Sequence, residues 1–196
     1  MSMFCYQCEQ AARRTGCSDV SVCGKDEPTA NLQDLLVHVA KGVSMYAHRA
    51  RRLGARDAGL DRFVVEALFS TVTNVNFDAS RVAELVRTGA GLRARARALY
   101  EDACAGAGLK PDTPGGPAGW TPAADDATLE KQAAAVGILA RRAARGDDLA
   151  GLEHLCLYGL KGMAAYMDHA LVLGRSDEET LAFFHEALDF LTGEHD

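Results

Sequence analysis

Four of the six cysteines lie within nineteen residues near the amino terminus, in the pattern C-x2-C-x8-C-x5-C. They are Cys5, Cys8, Cys17 and Cys23. A Cys-x-x-Cys pair points two thiolates to one side of a tight turn, and two further thiolates can close a cage around bound metal. Gly16 and Gly24, beside the third and fourth cysteines, let backbone N–H groups approach inorganic sulfides. The pattern therefore predicts a site whose four thiolates hold an iron–sulfur cluster.

Two other uses of these cysteines stay open at this point. Structural zinc takes the same ligands, although zinc sites commonly space them as two short Cys-x-x-Cys pairs, whereas five residues separate Cys17 from Cys23. Disulfides are disfavoured, because a disulfide framework spreads its cysteines along the whole fold. The remaining cysteines, Cys104 and Cys156, are isolated on apolar faces of helical sequence, so we expect each to be a buried structural residue.

Neighbouring side chains have expected roles at such a site. Phe4, Tyr6, Val20 and Val22 can exclude water from it. Lys25 follows the last cysteine and would offset part of a cluster's negative charge, unless it is simply a solvated lysine.

The composition restricts the class of protein. With 196 residues, of which 48% are hydrophobic and 24% are charged, the chain can bury the core of one large domain or of two small ones. Its formal charge of −6 argues against a nucleic-acid-binding protein, which usually carries a basic excess. No stretch approaches the roughly 18 consecutive apolar residues of a membrane span, and the first residues resemble no secretory signal. We therefore expect a cytoplasmic protein, where thiols stay reduced and clustered cysteines hold metal.

Beyond the cysteines, apolar residues recur at helical spacing and no segment has the alternation of a strand. The sequence predicts an all-α fold of six helices, at about 31–53, 61–75, 78–103, 127–145, 149–173 and 178–191. Asn31 should cap the first helix and Gly54 should end it. A segment rich in glycine between the third and fourth helices holds four of the five prolines and the only tryptophan. We interpret it as a linker that Trp120 anchors in a groove between bundles.

The second half of the chain repeats the first at an offset of 120 positions. Leu32-Gln-Asp-Leu35 aligns with Leu152-Glu-His-Leu155, and Lys41-Gly42 aligns with Lys161-Gly162. A duplicated helical unit is the simplest explanation, and it predicts two three-helix bundles. The resulting division is a cysteine segment over 1–30, a first bundle over 31–105, the linker over 106–126 and a second bundle over 127–196.

The repeat makes two further predictions. Gly42 and Gly162 should lie where another helix or the cysteine loop approaches closely, because a mid-helix glycine otherwise costs about 1 kcal/mol against alanine. The third helix has no counterpart after Leu191. Either the helix that begins near Ala127 completes the second bundle, or the chain is part of something longer.

The residues around the cysteines resemble the amino-terminal end of the hybrid-cluster proteins, also called prismane proteins or hydroxylamine reductases. The resemblance rests on Met3-Phe-Cys-Tyr-Gln-Cys-Glu-Gln, Gly16-Cys17 and Val22-Cys-Gly-Lys-Asp26, and continues over Leu32-Gln-Asp-Leu-Leu36, Lys41-Gly42, 136–143 and 158–170. The x8 and x5 spacing resembles the branch of this family in which the four cysteines hold a [4Fe–4S] cubane. A related branch with wider spacing holds a [2Fe–2S] cluster.

This resemblance implies that the amino-terminal cluster is an electron relay. Hydroxylamine or nitric oxide would be reduced at a second, iron–sulfur–oxygen hybrid cluster, held by one histidine, two glutamates and four cysteines of later α/β domains. Beyond the four clustered cysteines this chain has only Cys104 and Cys156, which are too few for that centre. We therefore expect an electron-transfer domain that is not catalytic alone. Its expected partners are a redox protein and the hybrid-cluster domains, in cis or in trans, with no nucleic acid or membrane and with self-association left open.

Two alternative functions stay open. One is a cluster domain like that of the structurally related carbon monoxide dehydrogenases, whose cluster motifs match these cysteines less well. The other is a zinc-stapled helical interaction module. The histidines form no His-x-x-x-His pair beside a suitable carboxylate, so we interpret all six as surface or satisfied core residues: His38, His48, His154, His169, His185 and His195. The arginines between positions 81 and 97 are interpreted as a solvated helix face rather than a docking patch.

Overall fold

The computed structural model describes residues 3–8, 11, 13 and 15–193, and this part of the chain forms helices but no extended strand. The helices are α1 Glu27–Arg52, α2 Ala58–Ser70, α3 Ala79–Gly106, α4 Asp126–Val136, α5 Ile138–Arg145, α6 Asp147–Val172 and α7 Glu178–Phe190. A short 3-10 turn at Gly116–Ala118 lies in the linker. The all-α prediction is confirmed, and the described residues form seven α-helices in place of the predicted six.

Aspartate side chains begin most of these helices. The carboxylate of Asp26 accepts the Thr29 N–H at 3.0 Å, and aspartates occupy the same position before α2, α3, α4 and α7. The predicted cap at Asn31 is wrong, because Asp26 caps α1 and Pro28 suits a first turn, where its missing N–H costs nothing. At the other end Gly54 has a φ of 83° and terminates α1 as predicted.

The helix predicted over 127–145 is two helices. The chain leaves helical geometry at Gly137, whose ψ is 177°, and the N–H of Ile138 donates to the Asp34 carboxylate at 3.3 Å. A side chain of α1 thus satisfies one of the N–H groups that open α5.

Helix α2 also differs from its prediction, since it ends at Ser70 and residues 71–75 form turns and bends.

The repeat is visible in the helix bounds. Helices α1 and α6 each have 26 residues, and α2 and α7 each have 13. Both pairs begin and end at positions that differ by 120, the offset of the sequence repeat. The turns that follow α1 and α6 also correspond, because Gly54 and Gly174 both adopt positive φ, 83° and 70°. The duplication therefore extends from residue types to helix lengths and turn conformation.

Both halves contribute to a shared hydrophobic core, which includes Leu35 and Leu60 from the first half and Leu160 and Phe184 from the second. Helix α1 packs against α3, α4 and α7, and α2 packs against α6. The reciprocal contacts of α1 with α7 and of α2 with α6 are those expected of two similar hairpins related by an approximate two-fold axis. The division of the chain into two bundles stays a prediction.

The two equivalent glycines have different surroundings. A Cβ at Gly42 would overlap the carbonyl oxygen of Pro117, so the linker approaches α1 closely at this point. Among the described residues, no atom other than those of the neighbouring helix backbone lies within 4 Å of the corresponding position at Gly162. The predicted close approach is confirmed at Gly42 and is wrong at Gly162, because nothing in the described part of the chain covers that face of α6.

Trp120 holds the linker against the core. Its half-buried ring meets the His38 ring edge to face, with 5.9 Å between ring centroids. The Arg93 guanidinium donates to the carbonyl oxygens of Trp120 and Pro117. The linker is therefore bonded to α3 and packed on α1, which places it where it touches Gly42.

Candidate iron–sulfur site

Backbone pairing joins the first and third cysteines of the motif. The N–H of Cys5 donates to the carbonyl of Cys17 at 3.0 Å, and the N–H of Cys17 donates back to Cys5 at 2.7 Å. Gly16 has a φ of 97°, and the ring of Phe4 fills the space where a Cβ would stand. This close approach brings two segments twelve residues apart in sequence to the same place.

All four cysteines of the motif have free thiols; Cys17 is buried and Cys5, Cys8 and Cys23 are half-buried. In the described residues, no group of three or more His, Cys, Asp or Glu side chains is arranged to hold a metal ion. The structure thus pairs Cys5 with Cys17 through the backbone but does not assemble the full ligand set, which stays a prediction. The donor set nevertheless suits iron, because four unpaired soft thiols lie on one short loop.

Electrostatics favour the thiolate at one cysteine and oppose it at another. Burial raises the pKa of Cys5, and the Gln7 N–H and the charge of Lys25 only partly oppose this effect. Burial alone would also raise the pKa of Cys23. There, the Lys25 N–H and the Lys25 charge oppose the effect of burial, and the pKa of Cys23 lies below its ordinary value.

Lys25 is a buried residue, with 2% of its surface exposed, so the solvated interpretation is wrong. Its ammonium group donates to the Gln33 side-chain oxygen, and Gln33 in turn donates to the Asn76 carbonyl at 3.0 Å. The Ser21 hydroxyl donates to the Lys25 carbonyl. A buried cation that is fixed beside Cys23 stabilises negative charge on sulfur far more than a solvated one would.

Gln7, between Cys5 and Cys8, connects the cysteine turn to distant parts of the chain. Its carbonyl accepts the Thr73 hydroxyl at 3.0 Å, and its side-chain oxygen accepts the Lys161 ammonium at 2.8 Å. Lys161 belongs to α6 and is 4% exposed. The turn is therefore held by the α2–α3 connection on one side and by the second half of the chain on the other. The sequence analysis did not predict the contact between Gln7 and Lys161. The only feature of the sequence that pointed to Lys161 was the repeated Lys-Gly pair.

Aromatic rings cover one side of the turn. The Phe4 and Tyr6 rings meet edge to face with centroids 5.4 Å apart, and Tyr6 meets His154 at the same separation. The Arg142 guanidinium lies 5.5 Å from the Phe4 ring centroid. The predicted shielding by Val20 and Val22 is wrong, since both side chains are exposed.

A cavity of about 340 Å³ lies behind the turn, between α1, α5 and α6. Side chains from both halves of the chain line it: Asp34, His38, Lys41, Arg141, Glu153 and His154. Burial raises the pKa of Asp34 to about 6, although Lys161 opposes the shift, and lowers the pKa of Lys41 to about 8. Burial likewise lowers the pKa values of His38 and His154 to about 4, so both imidazoles are neutral at neutral pH.

Comparison with known proteins identifies the family. The model of the Prismane/CO dehydrogenase family matches residues 3–196. The chain belongs to this family. It is 50% identical over 189 residues to the hydroxylamine reductase of Rhodospirillum rubrum, covering 96% of this chain and 34% of the relative. The chain is 46% identical over 190 residues to the hydroxylamine reductase of Geobacter sulfurreducens, covering 96% of this chain and 34% of the relative. It is 48% identical over 195 residues to the hydroxylamine reductase of Burkholderia ambifaria, covering 97% of this chain and 35% of the relative.

This prismane-family chain spans about a third of the length of the curated relatives that it matches. The predicted family is confirmed, and membership supports an iron–sulfur cofactor. Within the described residues, no helix has the length and apolarity needed to cross a bilayer.

The predictions for the two isolated cysteines, the histidines and the arginines are partly confirmed and partly wrong. Cys104 is buried as expected, but Cys156 is exposed on α6. His185 is a satisfied core residue, bonded to Asp61 at 2.8 Å and Ser44 at 3.1 Å, whereas His195 lies outside the described residues. Four of the five arginines between 81 and 97 form exposed or partly exposed ion pairs, as a solvated face predicts: Arg81, Arg87, Arg95 and Arg97.

Proposed function

We propose that this chain is the iron–sulfur electron-transfer part of a hydroxylamine reductase, and that Cys5, Cys8, Cys17 and Cys23 hold a [4Fe–4S] cluster. The observation that carries the proposal is the cysteine turn itself, with four free thiols on one loop inside a chain matched over nearly its whole length by hydroxylamine reductases. The buried Lys25 supports it, because a cation beside the sulfurs offsets the negative charge of a thiolate-ligated cluster.

The cluster, when bound, supplies reversible one-electron transfer. The protein's own part is to hold the thiolates, to exclude water with Phe4 and Tyr6, and to fix the turn through Gln7. Reduction of hydroxylamine to ammonia, or of nitric oxide, would take place at the hybrid cluster of domains outside this chain, supplied in cis or in trans. The physiological setting that we propose is the cytoplasm, where thiols stay reduced, with a redox protein as electron donor.

The metal content tests this proposal. Protein purified without oxygen or chelator is expected to be brown and to contain about four irons and four sulfides per chain, as a cubane on four thiolates requires. Dithionite should bleach its visible absorbance reversibly, and the chain should not reduce hydroxylamine by itself. Stoichiometric zinc without sulfide would instead support the zinc-stapled module, and about two irons and two sulfides would support a [2Fe–2S] cluster.

A second expectation concerns Lys161. Lys161→Met keeps the length of the side chain but leaves the Gln7 oxygen without its buried donor. Side chains that hold metal ligands in position typically contribute about 10–100-fold to metal affinity. We therefore expect a ferrous chelator to bleach the Lys161→Met variant at least about ten times faster than the unchanged protein.

The matched control is Lys41→Met, the equivalent residue in the repeat. Lys41 is bonded to the Leu191 carbonyl at 3.3 Å, and it has no hydrogen bond to the described residues of the cysteine turn. Bleaching of the Lys161→Met protein at the rate of the Lys41→Met protein would show that the contact with Gln7 does not position the turn.

A further inference from the structure

The cavity between α1, α5 and α6 contains nitrogen-bearing side chains that converge. The Lys41 ammonium and the Arg141 guanidinium both donate to the Leu191 carbonyl, at 3.3 Å and 3.5 Å. His38 lies about one helical turn before Lys41 on the same face of α1, and it also lines the cavity. Two cations and an imidazole, from α1 and α5, therefore meet at one cavity of about 340 Å³.

These side chains have hydrogen-bonding capacity to spare. Within the described residues Lys41 donates to Leu191 alone, and Arg141 donates to Leu191 and Glu153. An ammonium and a guanidinium carry more N–H donors than these contacts use. The Nε2 atom of His38 is buried and has no hydrogen-bond partner in the described part of the chain. Because buried polar atoms are nearly always paired, His38 points to a bound group at this cavity.

The charges at the cavity favour an anion. The Glu153 carboxylate is contacted by two guanidinium groups, that of Arg141 and, at 3.7 Å, that of Arg145. Among the described residues, Asp34 is the only other carboxylate that lines the cavity. Burial lowers the pKa of Lys41 to about 8, so this lysine is still largely protonated at neutral pH. The cations therefore outnumber the carboxylates, and a bound negative charge would be stabilised here.

Much of the remaining lining is apolar. Val37, Ile138 and Leu157 are buried residues that line the cavity from α1, α5 and α6 respectively. Small-molecule sites are typically cavities of roughly 300–1,000 Å³ in which apolar side chains surround a few convergent polar groups. The volume and the lining of this cavity both fit that description, and they suit a ligand with a hydrocarbon part as well as a charge.

We propose that this cavity binds a small organic acid. The carboxylate of the acid accepts hydrogen bonds from Lys41, Arg141 and His38, and its hydrocarbon part lies against the apolar lining. A guanidinium group matches the planar geometry of a carboxylate, and a neutral imidazole donates from Nε2 in the tautomer that carries its proton there. The site uses none of the clustered cysteines, so the inference goes beyond the proposed electron-transfer function.

Titration calorimetry with three probes tests the class of ligand on the unchanged chain at pH 7. Hexanoate has both the carboxylate and the hydrocarbon part, 1-hexanol keeps only the hydrocarbon part, and acetate keeps only the charge. Hexanoate should bind with one-to-one stoichiometry and at least about tenfold more tightly than either of the other probes. Equal or tighter binding of 1-hexanol or acetate would overturn the proposal, as would no binding of hexanoate at millimolar concentrations.

Trp120 locates the bound acid. It is the single tryptophan of the chain, and its ring lies 5.9 Å from the His38 ring, centroid to centroid. Hexanoate should therefore change the tryptophan fluorescence, with the same dissociation constant that calorimetry gives. Binding of hexanoate without a change in this fluorescence would place the acid elsewhere and overturn the assignment to the cavity.

Matched variants test the individual groups. Lys41→Met removes the charge at nearly constant length and should weaken hexanoate binding at least about tenfold, whereas Lys110→Met, at an exposed lysine of the linker, should not. Ala140→Phe keeps every charge but fills part of the cavity, and it should also weaken binding at least about tenfold. Circular dichroism verifies that the variants are folded. Unchanged affinity in Lys41→Met or in Ala140→Phe would overturn the proposal, and the comparison of probes on the unchanged chain tests it even if a variant does not fold.

Discussion

Changing any one of Cys5, Cys8, Cys17 or Cys23 to serine is expected to remove most of the bound iron and sulfide and most of the visible absorbance. A hydroxyl is a hard ligand that rarely replaces a thiolate on iron, and a cubane that loses one of its four protein ligands is open to solvent and oxidants. Iron and acid-labile sulfide are measured per chain after anaerobic purification.

The other cysteines provide the controls. Cys104→Ser and Cys156→Ser should leave the iron content unchanged, because Cys104 is buried in the core and Cys156 is exposed on α6. Cys104→Ser should lower stability through packing alone. Loss of cluster in either of these variants, or its retention in one of the first four, would show that the ligand assignment is wrong.

The equivalent glycines should respond in opposite directions to the same substitution. In Gly42→Ala the new methyl group overlaps the Pro117 carbonyl, which is backbone and cannot rotate away, so a loss of about 1–3 kcal/mol in unfolding free energy is expected. In Gly162→Ala the methyl group enters open space, and the higher helix propensity of alanine should stabilise the chain by up to about 1 kcal/mol. Urea unfolding followed by circular dichroism measures both changes.

The two alanine variants also test whether the linker contacts α1. Equal changes in unfolding free energy for Gly42→Ala and Gly162→Ala would mean that the linker does not contact α1 closely and that the two glycines have equivalent surroundings.

Two buried lysines lie close to the cysteine turn. Lys25 follows the last cysteine and is held by Gln33 of α1, and Lys161 reaches the turn from α6 through Gln7. Burial lowers the pKa of Lys161 to about 8, so the lysine is still largely protonated at neutral pH. Cations at low dielectric would stabilise the reduced, more negative state of a cluster bound by the turn, so we expect both lysines to raise the reduction potential of such a cluster.

Local pattern in the sequence was sufficient for the cysteine motif, the family and most of the helices. Ligand spacing is a property of one short loop, and helical periodicity is read within a few turns, so neither needs knowledge of distant contacts. Even here the error at Asn31 is instructive: Asp26 and Pro28 together carry the start signal, and the apolar stripe begins only several residues later.

The tertiary structure decided what required partners distant in sequence. Lys161 and Gln7 are 154 positions apart, and no local pattern predicts that they meet. Cys156 and Gly162 lie on an apolar stripe like that of α1, and sequence therefore placed them in contact with neighbours. Whether a stripe is buried depends on whether another helix is present to cover it, which only the packed structure reveals. The sequence by itself thus determined the cysteine motif and the helical repeat, while tertiary contacts decided which copy of the repeated stripe is buried and which charges reach the cysteine turn.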